Sequence, residues 1–279
     1  MKPRKRFAQH WLRSEKALNK IIAAAELKEK DRVLEIGPGM GVLTKRLSSI
    51  SQAVVAVEID RDLCKKLVGN LGHLENFLLL QGDFLSLDLD DNLETFPLFQ
   101  SPNKVVANIP YNITGLILKK LLGSIAQPKV PHYESVVLLV QREIADRVTA
   151  QPGHKAYSAM SVRVQYLAKC EKVCDVPAKA FYPPPKVDSA VIRLYPQLPE
   201  IKAQNPRFLE QLIELGFANR RKMLRKNLSS VIDRTLVSSI LDNLELNPQA
   251  RAEDLGVRDW VQLSHRILAQ RELLKVTVQ

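Results

Sequence analysis

Arg32-Val33-Leu34-Glu35-Ile36-Gly37-Pro38-Gly39-Met40-Gly41 is the stretch that decides the fold. Residues 32–36 read as a short buried strand and residues 42–50 as an amphipathic helix. Glycines between a strand and a helix let the backbone turn tightly and come close to a ligand. Outward from this unit the alternation repeats. Strands are expected at 53–59, 77–80, 104–107 and 135–140, and helices at 61–71 and 113–122. The run Val54-Val55-Ala56-Val57 is apolar without a break, which fits a strand covered on both faces. Strands and helices alternating in this way specify a parallel, doubly wound sheet.

In such sheets ligands bind beyond the carboxyl ends of the strands. Glu58 ends the second strand, about twenty residues after the glycines, where a carboxylate accepts from the hydroxyls of a ribose. Asp60 follows closely. Asp83, in Gly82-Asp83-Phe84, ends the third strand; its carboxylate suits an adenine amino group and Phe84 suits the adenine ring. The spacing Gly-Pro-Gly-Met-Gly departs from the GxGxxG that seats a pyrophosphate on a helix terminus. The set points to adenosine with an amino-acid tail, S-adenosylmethionine. Gly37, Gly39, Glu58, Asp83 and Phe84 are its expected contacts.

Asn108-Ile109-Pro110-Tyr111 follows the apolar Val105-Val106-Ala107, at the end of the next strand. The Asn108 amide oxygen accepts from an N–H donor, Pro110 has a fixed φ that presents the carbonyls of its turn, and Tyr111 offers a face for stacking. Together these residues suit a planar base with an exocyclic amino group.

The chain has 279 residues, 46% of them hydrophobic, enough for one large domain and a small one. Lys and Arg number 41 against 30 acidic residues, a net charge of +11 that favours a polyanion partner, nucleic acid first. The excess is concentrated. Residues 1–20 carry Lys2, Arg4, Lys5, Arg6, Arg13, Lys16 and Lys20 against Glu15 alone. Residues 216–234 carry Arg220, Arg221, Lys222, Arg225, Lys226 and Arg234 against Asp233 alone. A solvated helix face normally mixes signs.

Three cysteines do not make a disulfide framework, and Cys170 and Cys174 have no second pair or nearby His for a zinc site. No metal is expected, and the thiols fit a reducing cytoplasm. The amino terminus is basic but lacks the apolar core of a signal peptide. No run approaches the roughly 18 apolar residues of a membrane span, so no membrane partner is expected.

After about residue 168 the pattern changes. Strands at 173–176 and 187–195 flank the proline-rich 181–186, and they are expected to run antiparallel at the sheet edge. Pro196, Pro199 and Pro206 mark a linker, and only helices follow, at 208–217, 221–228, 237–244 and 257–274. The expected organisation is a cofactor-binding catalytic domain over 1–200 and a small all-helical domain over 201–279 that contributes to RNA binding.

These residues, in this order, resemble the small-subunit ribosomal RNA adenine dimethyltransferases. The resemblance runs nearly end to end. It takes in Arg6-Phe7-Ala8-Gln9-His10-Trp11-Leu12, the Gly37 loop, Glu58, Gly82-Asp83, Asn108–Tyr111, residues 181–189 and Phe217-Ala218-Asn219-Arg220-Arg221-Lys222. It implies a class I S-adenosylmethionine-dependent methyltransferase fold, Rossmann-like, mostly parallel with an antiparallel edge strand, and a helical C-terminal domain. It implies transfer of methyl groups to N6 of two adjacent adenosines near the 3′ end of 16S rRNA, in the 30S subunit or its precursor. His10, Leu12, Gly37, Glu58, Asp83 and Asn108 would contact the cofactor. The family usually has Gly-Gln-Asn-Phe-Leu at the first motif; here Ala8-Gln9-His10-Trp11-Leu12 puts His10 in place of Asn.

On this reading the Asn108 side-chain oxygen and a carbonyl near Ile109 or Pro110 accept from the adenine amino group. Tyr111 and Phe181 stack on the base from its two faces. Arg4, Lys5, Arg6, Arg220, Arg221 and Lys222 track phosphates. Nothing demands more than a monomer. A 23S rRNA adenine dimethyltransferase is the nearest rival. A nicotinamide-dependent dehydrogenase would need the pyrophosphate glycine spacing, and a non-catalytic RNA-binding factor would not need the intact Gly37, Glu58, Asp83 and Asn108.

Overall fold

The computed structural model describes residues 9–129 and 133–276. In chain order the first part runs β1 (Trp11–Leu12), α1 (Glu15–Ala25), β2 (Arg32–Ile36), α2 (Val42–Ser48), β3 (Ala53–Glu58), α3 (Arg61–Leu71), β4 (Phe77–Gln81), α4 (Leu89–Leu93), β5 (Lys104–Asn108), α5 (Thr114–Leu122) and β6 (Ser135–Gln141). It continues with α6 (Arg142–Thr149), α7 (Ala159–Leu167), β7 (Ala168–Val176), β8 (Phe181–Tyr182) and β9 (Ser189–Pro196). The helices α8 (Pro206–Phe217), α9 (Leu224–Asn227), α10 (Arg234–Asn243) and α11 (Val257–Val276) complete it.

Seven strands form one sheet in the order β4-β3-β2-β5-β6-β9-β7. β2, β3, β4, β5 and β6 pair in parallel, and β9 runs antiparallel to β6. The strand residues explain the arrangement. Every residue of β3 is buried, as its unbroken apolar run requires of a strand with both faces covered. The chain walks outward from β2 to β3 and β4, then crosses to β5 on the other side of β2. That reversal is a topological switch point, where open α/β sheets bind ligands. It brings the ends of β2 and β5 together.

α1 and the short β1–β8 ribbon add to the elements read from the sequence. Ser14 caps α1 by accepting from the Ala17 N–H at 3.3 Å. The helix buries Leu18 and Ile21, each worth about 1.5–3 kcal/mol, against the sheet. The turn after β2 keeps Gly37, Gly39 and Gly41 at positive φ, and a Cβ on Gly41 would lie 2.9 Å from both Leu67 and Leu71. Only glycine fits there.

The chain divides into two compact units. The first holds Met1–Leu122, Val130–Ala145 and Cys170–Pro196; the second holds Gly123–Lys129, Asp146–Lys169 and Gln197–Gln279. The helical unit therefore draws on two stretches that a single boundary near residue 200 assigns to the first domain. Within it, Phe217 stacks on the buried Trp260 with centroids 5.8 Å apart. Gly216 leaves the space: a Cβ there would fall 2.4 Å from the Trp260 ring. No described helix is long and apolar enough to cross a membrane.

Candidate active site

A cavity of about 360 Å³ opens at the switch point. Its lining comes from the arm before α1 (Gln9, His10, Trp11, Leu12), from the glycine turn, from Glu58 and Ile59 after β3, from residues 82–85 after β4, and from Asn108 and Pro110 after β5. All six expected cofactor contacts named by the resemblance, and also Gly39 and Phe84, are in that lining.

Glu58 is 5% exposed, and both of its oxygens already accept backbone N–H groups, from Asp60 at 2.9 Å and from Gly39 at 3.2 Å. Burial pushes its carboxyl up despite those bonds. Glu58 thus holds the glycine turn while its remaining lone pairs stay available. Asp60 caps α3 by accepting from Asp62 and takes a bond from the Gln9 amide at 3.1 Å. Asp83 folds its own loop, accepting from the Leu85 N–H at 2.9 Å. Phe84 is buried, with the Lys120 ammonium 5.0 Å from its centroid; Lys120 also donates to the carbonyls of Leu85 and Leu87.

Glu35, the penultimate residue of β2, carries no role in the sequence reading, yet it lines the cavity and is 1% exposed. Burial raises its carboxyl to about 8, with the Glu58 charge adding to the rise and Thr44 opposing it. Among the described residues its Oε2 has no hydrogen-bond partner, and neither has the Trp11 indole N–H. The available signal was an acid inside an apolar strand.

Asn108 donates its amide to the His10 carbonyl at 3.2 Å. That bond fixes the amide orientation and leaves Oδ1 as an acceptor with no partner among the described residues. Tyr111 is held by a hydrogen bond between its hydroxyl and Ser189, and burial raises that hydroxyl to about 12, so it stays protonated. The His10 ring stacks on Tyr111 at 5.7 Å and 22°, and its Nδ1 donates to the Pro183 carbonyl at 2.7 Å. One neighbour of the Tyr111 ring is therefore His10.

One expectation needs correction. Phe181 pairs with Leu12 across the ribbon and is 4% exposed in the apolar cluster of Leu18 and Ile21, which leaves its ring no face for a base. Arg220 is exposed like its neighbours, and its guanidinium pairs with Glu253 at 2.6 Å and donates to the carbonyls of Lys155 and Tyr157. Arg221 and Lys222 sit exposed in the turn before α9, which has four residues where a longer helix was expected. Arg4, Lys5 and Arg6 lie outside the described residues. Among the described residues no group of His, Cys, Asp or Glu is placed to hold a metal ion.

The strand order, with one reversed strand beside β6 and a glycine turn opening onto two buried acids, defines a class I S-adenosylmethionine-dependent methyltransferase fold. The model of the family described as ribosomal RNA adenine dimethylase matches residues 1–269, and the chain belongs to that family. It is 61% identical over 265 residues to the ribosomal RNA small subunit methyltransferase A of Trichormus variabilis, covering 95% of this chain and 98% of that one. It is 57% identical over 272 residues to the protein of the same name from Synechocystis, with 95% and 96% covered. Among solved structures it is similar to a dimethyladenosine transferase from Plasmodium falciparum, at 26% identity, TM-score 0.73 and coverage of 91% and 96%. It is equally similar in shape to the 23S rRNA methyltransferase ErmE, at 29% identity, TM-score 0.73 and coverage of 92% and 99%.

Proposed function

We propose that this protein transfers methyl groups from S-adenosylmethionine to N6 of two adjacent adenosines near the 3′ end of 16S rRNA, giving dimethyladenosines. It acts as a cytoplasmic monomer on the 30S subunit or its precursor during small-subunit maturation. The observation that carries the chemistry is Asn108: at the cavity, with its amide tied to the His10 carbonyl and Oδ1 left to accept. The choice of 16S over 23S rRNA rests on relatedness, 61% to a small-subunit enzyme against 29% to ErmE.

The cavity residues fit the cofactor. An amino-acid tail carries an ammonium and a carboxylate, and among the described residues the two orphaned polar atoms at the cavity are an acidic oxygen, Glu35 Oε2, and an N–H donor, Trp11 Nε1. Glu58 and Asp83 supply acceptors for ribose and adenine, and Phe84 and Leu12 the apolar walls. When bound, S-adenosylmethionine supplies a methyl group already activated on a sulfonium.

The protein's part is position and electrostatics. The adenine N6 lone pair is delocalised into the ring and is a poor nucleophile. Acceptance of its N–H groups by Asn108 Oδ1 and by the carbonyl of Ile109 or Pro110 favours a tetrahedral nitrogen and aims its lone pair. Once methylated, the nitrogen loses its proton readily to water, so no strong base is required. The base must leave its stack, at a cost of a few kcal/mol. Stacking on Tyr111 returns about 1–3 kcal/mol of that.

The test is transfer of labelled methyl groups to unmethylated 30S subunits, with 50S subunits and free 23S rRNA alongside. N6,N6-dimethyladenosine in 16S rRNA is the expected product. Label confined to 23S rRNA would move the protein to the rival specificity, and no label with cofactor binding intact would make it a binding factor.

A further inference from the structure

The two faces of the β1–β8 ribbon differ. Leu12 and Phe181 are partners, 7% and 4% exposed, and pack into one apolar cluster. Trp11 and Tyr182 are the other pair and take the opposite face, as the period of two in strands requires. Tyr182 is 45% exposed. Arg13, two residues past Trp11, returns to that face, and its guanidinium carbon lies 4.1 Å from the Tyr182 centroid. The Trp11 indole meets the same ring at 6.5 Å, tilted by 31°. The Arg13 backbone N–H donates to the Ala180 carbonyl at 2.8 Å, so the backbone fixes the strand while the guanidinium touches the ring. Among the described residues Arg13 makes no ion pair.

An exposed cation–π pair adds little to a fold. A planar guanidinium lying on an aromatic ring is, however, a surface that a nucleobase extends. Every base has a π face, and the guanidinium edge keeps its N–H donors for a phosphate. The pair is also continuous with the cavity. Trp11 and Leu12 line it, and His10, which lines it as well, is bonded to the carbonyl of Pro183, the residue after Tyr182. Lys16, Lys179 and Lys186 are exposed and flank the two strands in sequence.

We propose that Tyr182 and Arg13 form a stacking platform for an unpaired RNA nucleotide that flanks the methylated adenosine. The proposal rests on the rRNA reading above and adds to it a second base-binding surface. Strand alternation turns Phe181 inward and Tyr182 outward, so the exposed ring of the ribbon serves the flanking nucleotide and not the target adenine.

The full-length protein and its Tyr182→Ala, Tyr182→Phe and Arg13→Gln variants are compared in steady-state methyl transfer to unmethylated 30S subunits, with S-adenosylmethionine binding measured by calorimetry. Tyr182→Ala should raise KM for the subunits roughly tenfold, with kcat and cofactor affinity unchanged. Tyr182→Phe should behave as the parent, because the ring and not the hydroxyl is used, and Arg13→Gln should raise KM about threefold. An unchanged KM in Tyr182→Ala overturns the platform, as does equal loss in Tyr182→Phe or a parallel loss of cofactor affinity. A parent protein that labels no subunits overturns the rRNA reading instead. In that case the affinities of parent and Tyr182→Ala for a single-stranded RNA oligonucleotide, by fluorescence anisotropy, still decide the platform: equal affinities refute it.

Discussion

β2 and β5 lie side by side, and their two ends use charge in opposite ways. At the amino ends the buried Asp31 accepts from the Lys28 N–H at 2.8 Å and from the Asn103 amide at 3.0 Å, and pairs with Lys104 at 2.9 Å. Lys104 in turn donates to the carbonyls of Ala25 and Glu26, at 3.1 and 2.7 Å. Burial alone would raise the Asp31 carboxyl, but Asn103, Lys104 and Lys28 outweigh it and hold it below its ordinary value. At the carboxyl ends the same burial wins. Glu35 of β2 and Glu58, at the end of the neighbouring β3, are both pushed up, and one Glu35 oxygen has no partner among the described residues. The closed polar network is satisfied within the fold, whereas the open one lies at the cavity and, on the proposed function, would be completed by the cofactor.

The largest effect is expected where the network is closed. Lys104→Met leaves the Asp31 charge buried without its ion-pair partner, and should cost about 3–5 kcal/mol in urea unfolding. Methyl transfer per folded molecule should not change. Because the Asp31 carboxyl is depressed, its stabilising contribution is present above the ordinary value of 3.8 and is lost as pH falls through the folded value. Unchanged stability in Lys104→Met would show that the two ends do not differ as described.

Asn108→Ala probes the open end. Loss of one preorganised acceptor should lower kcat by about 10²–10³-fold and largely spare RNA binding. Normal turnover would refute the assigned mechanism.

Glu35→Gln should separate stability from binding. The Glu35 carboxyl is raised from 4.5 to about 8, so the folded protein without ligand holds a proton that the unfolded chain releases. Glu35's contribution to stability is therefore complete below pH 4.5 and is lost as pH rises through about 8. Glu35→Gln should flatten that decline in thermal melts without cofactor, while weakening S-adenosylmethionine binding about tenfold or more. If the melts keep their slope, Glu35 is not the group responsible.

Much of this was legible in the sequence because it is carried by local pattern. Apolar runs gave the strands of the central sheet, and Gly37, Glu58, Asp83 and Asn108 were placed at strand ends by order alone. Other features depend on partners distant in sequence. A strand of two residues has no periodicity, so the choice between Phe181 and Tyr182 as the exposed ring waited on the pairing with Trp11 and Leu12. Arg220 looks like its basic neighbours until Glu253 is found beside it. The recruitment of 146–169 to the helical unit is a tertiary fact that no composition shift announces.

The smallest expected effect tests the same contrast between engaged and open charge within the helical unit. All three are exposed, but Arg220 is engaged with Glu253, whereas Arg221 and Lys222 make no ion pair among the described residues. The run of three should therefore split. Arg221→Gln and Lys222→Gln together should leave the melting temperature unchanged. They should reduce the slope of log affinity against log salt, measured on RNA, by roughly 0.7 for each single-strand phosphate that is no longer neutralised. Arg220→Gln should do the reverse, lowering stability by about 1–2 kcal/mol as its carboxylate and two carbonyl partners are left unpaired, with little change in slope. A reduced slope in Arg220→Gln as well as in the double variant would mean that Arg220 leaves Glu253 when RNA binds, and that its internal ties are only a resting state.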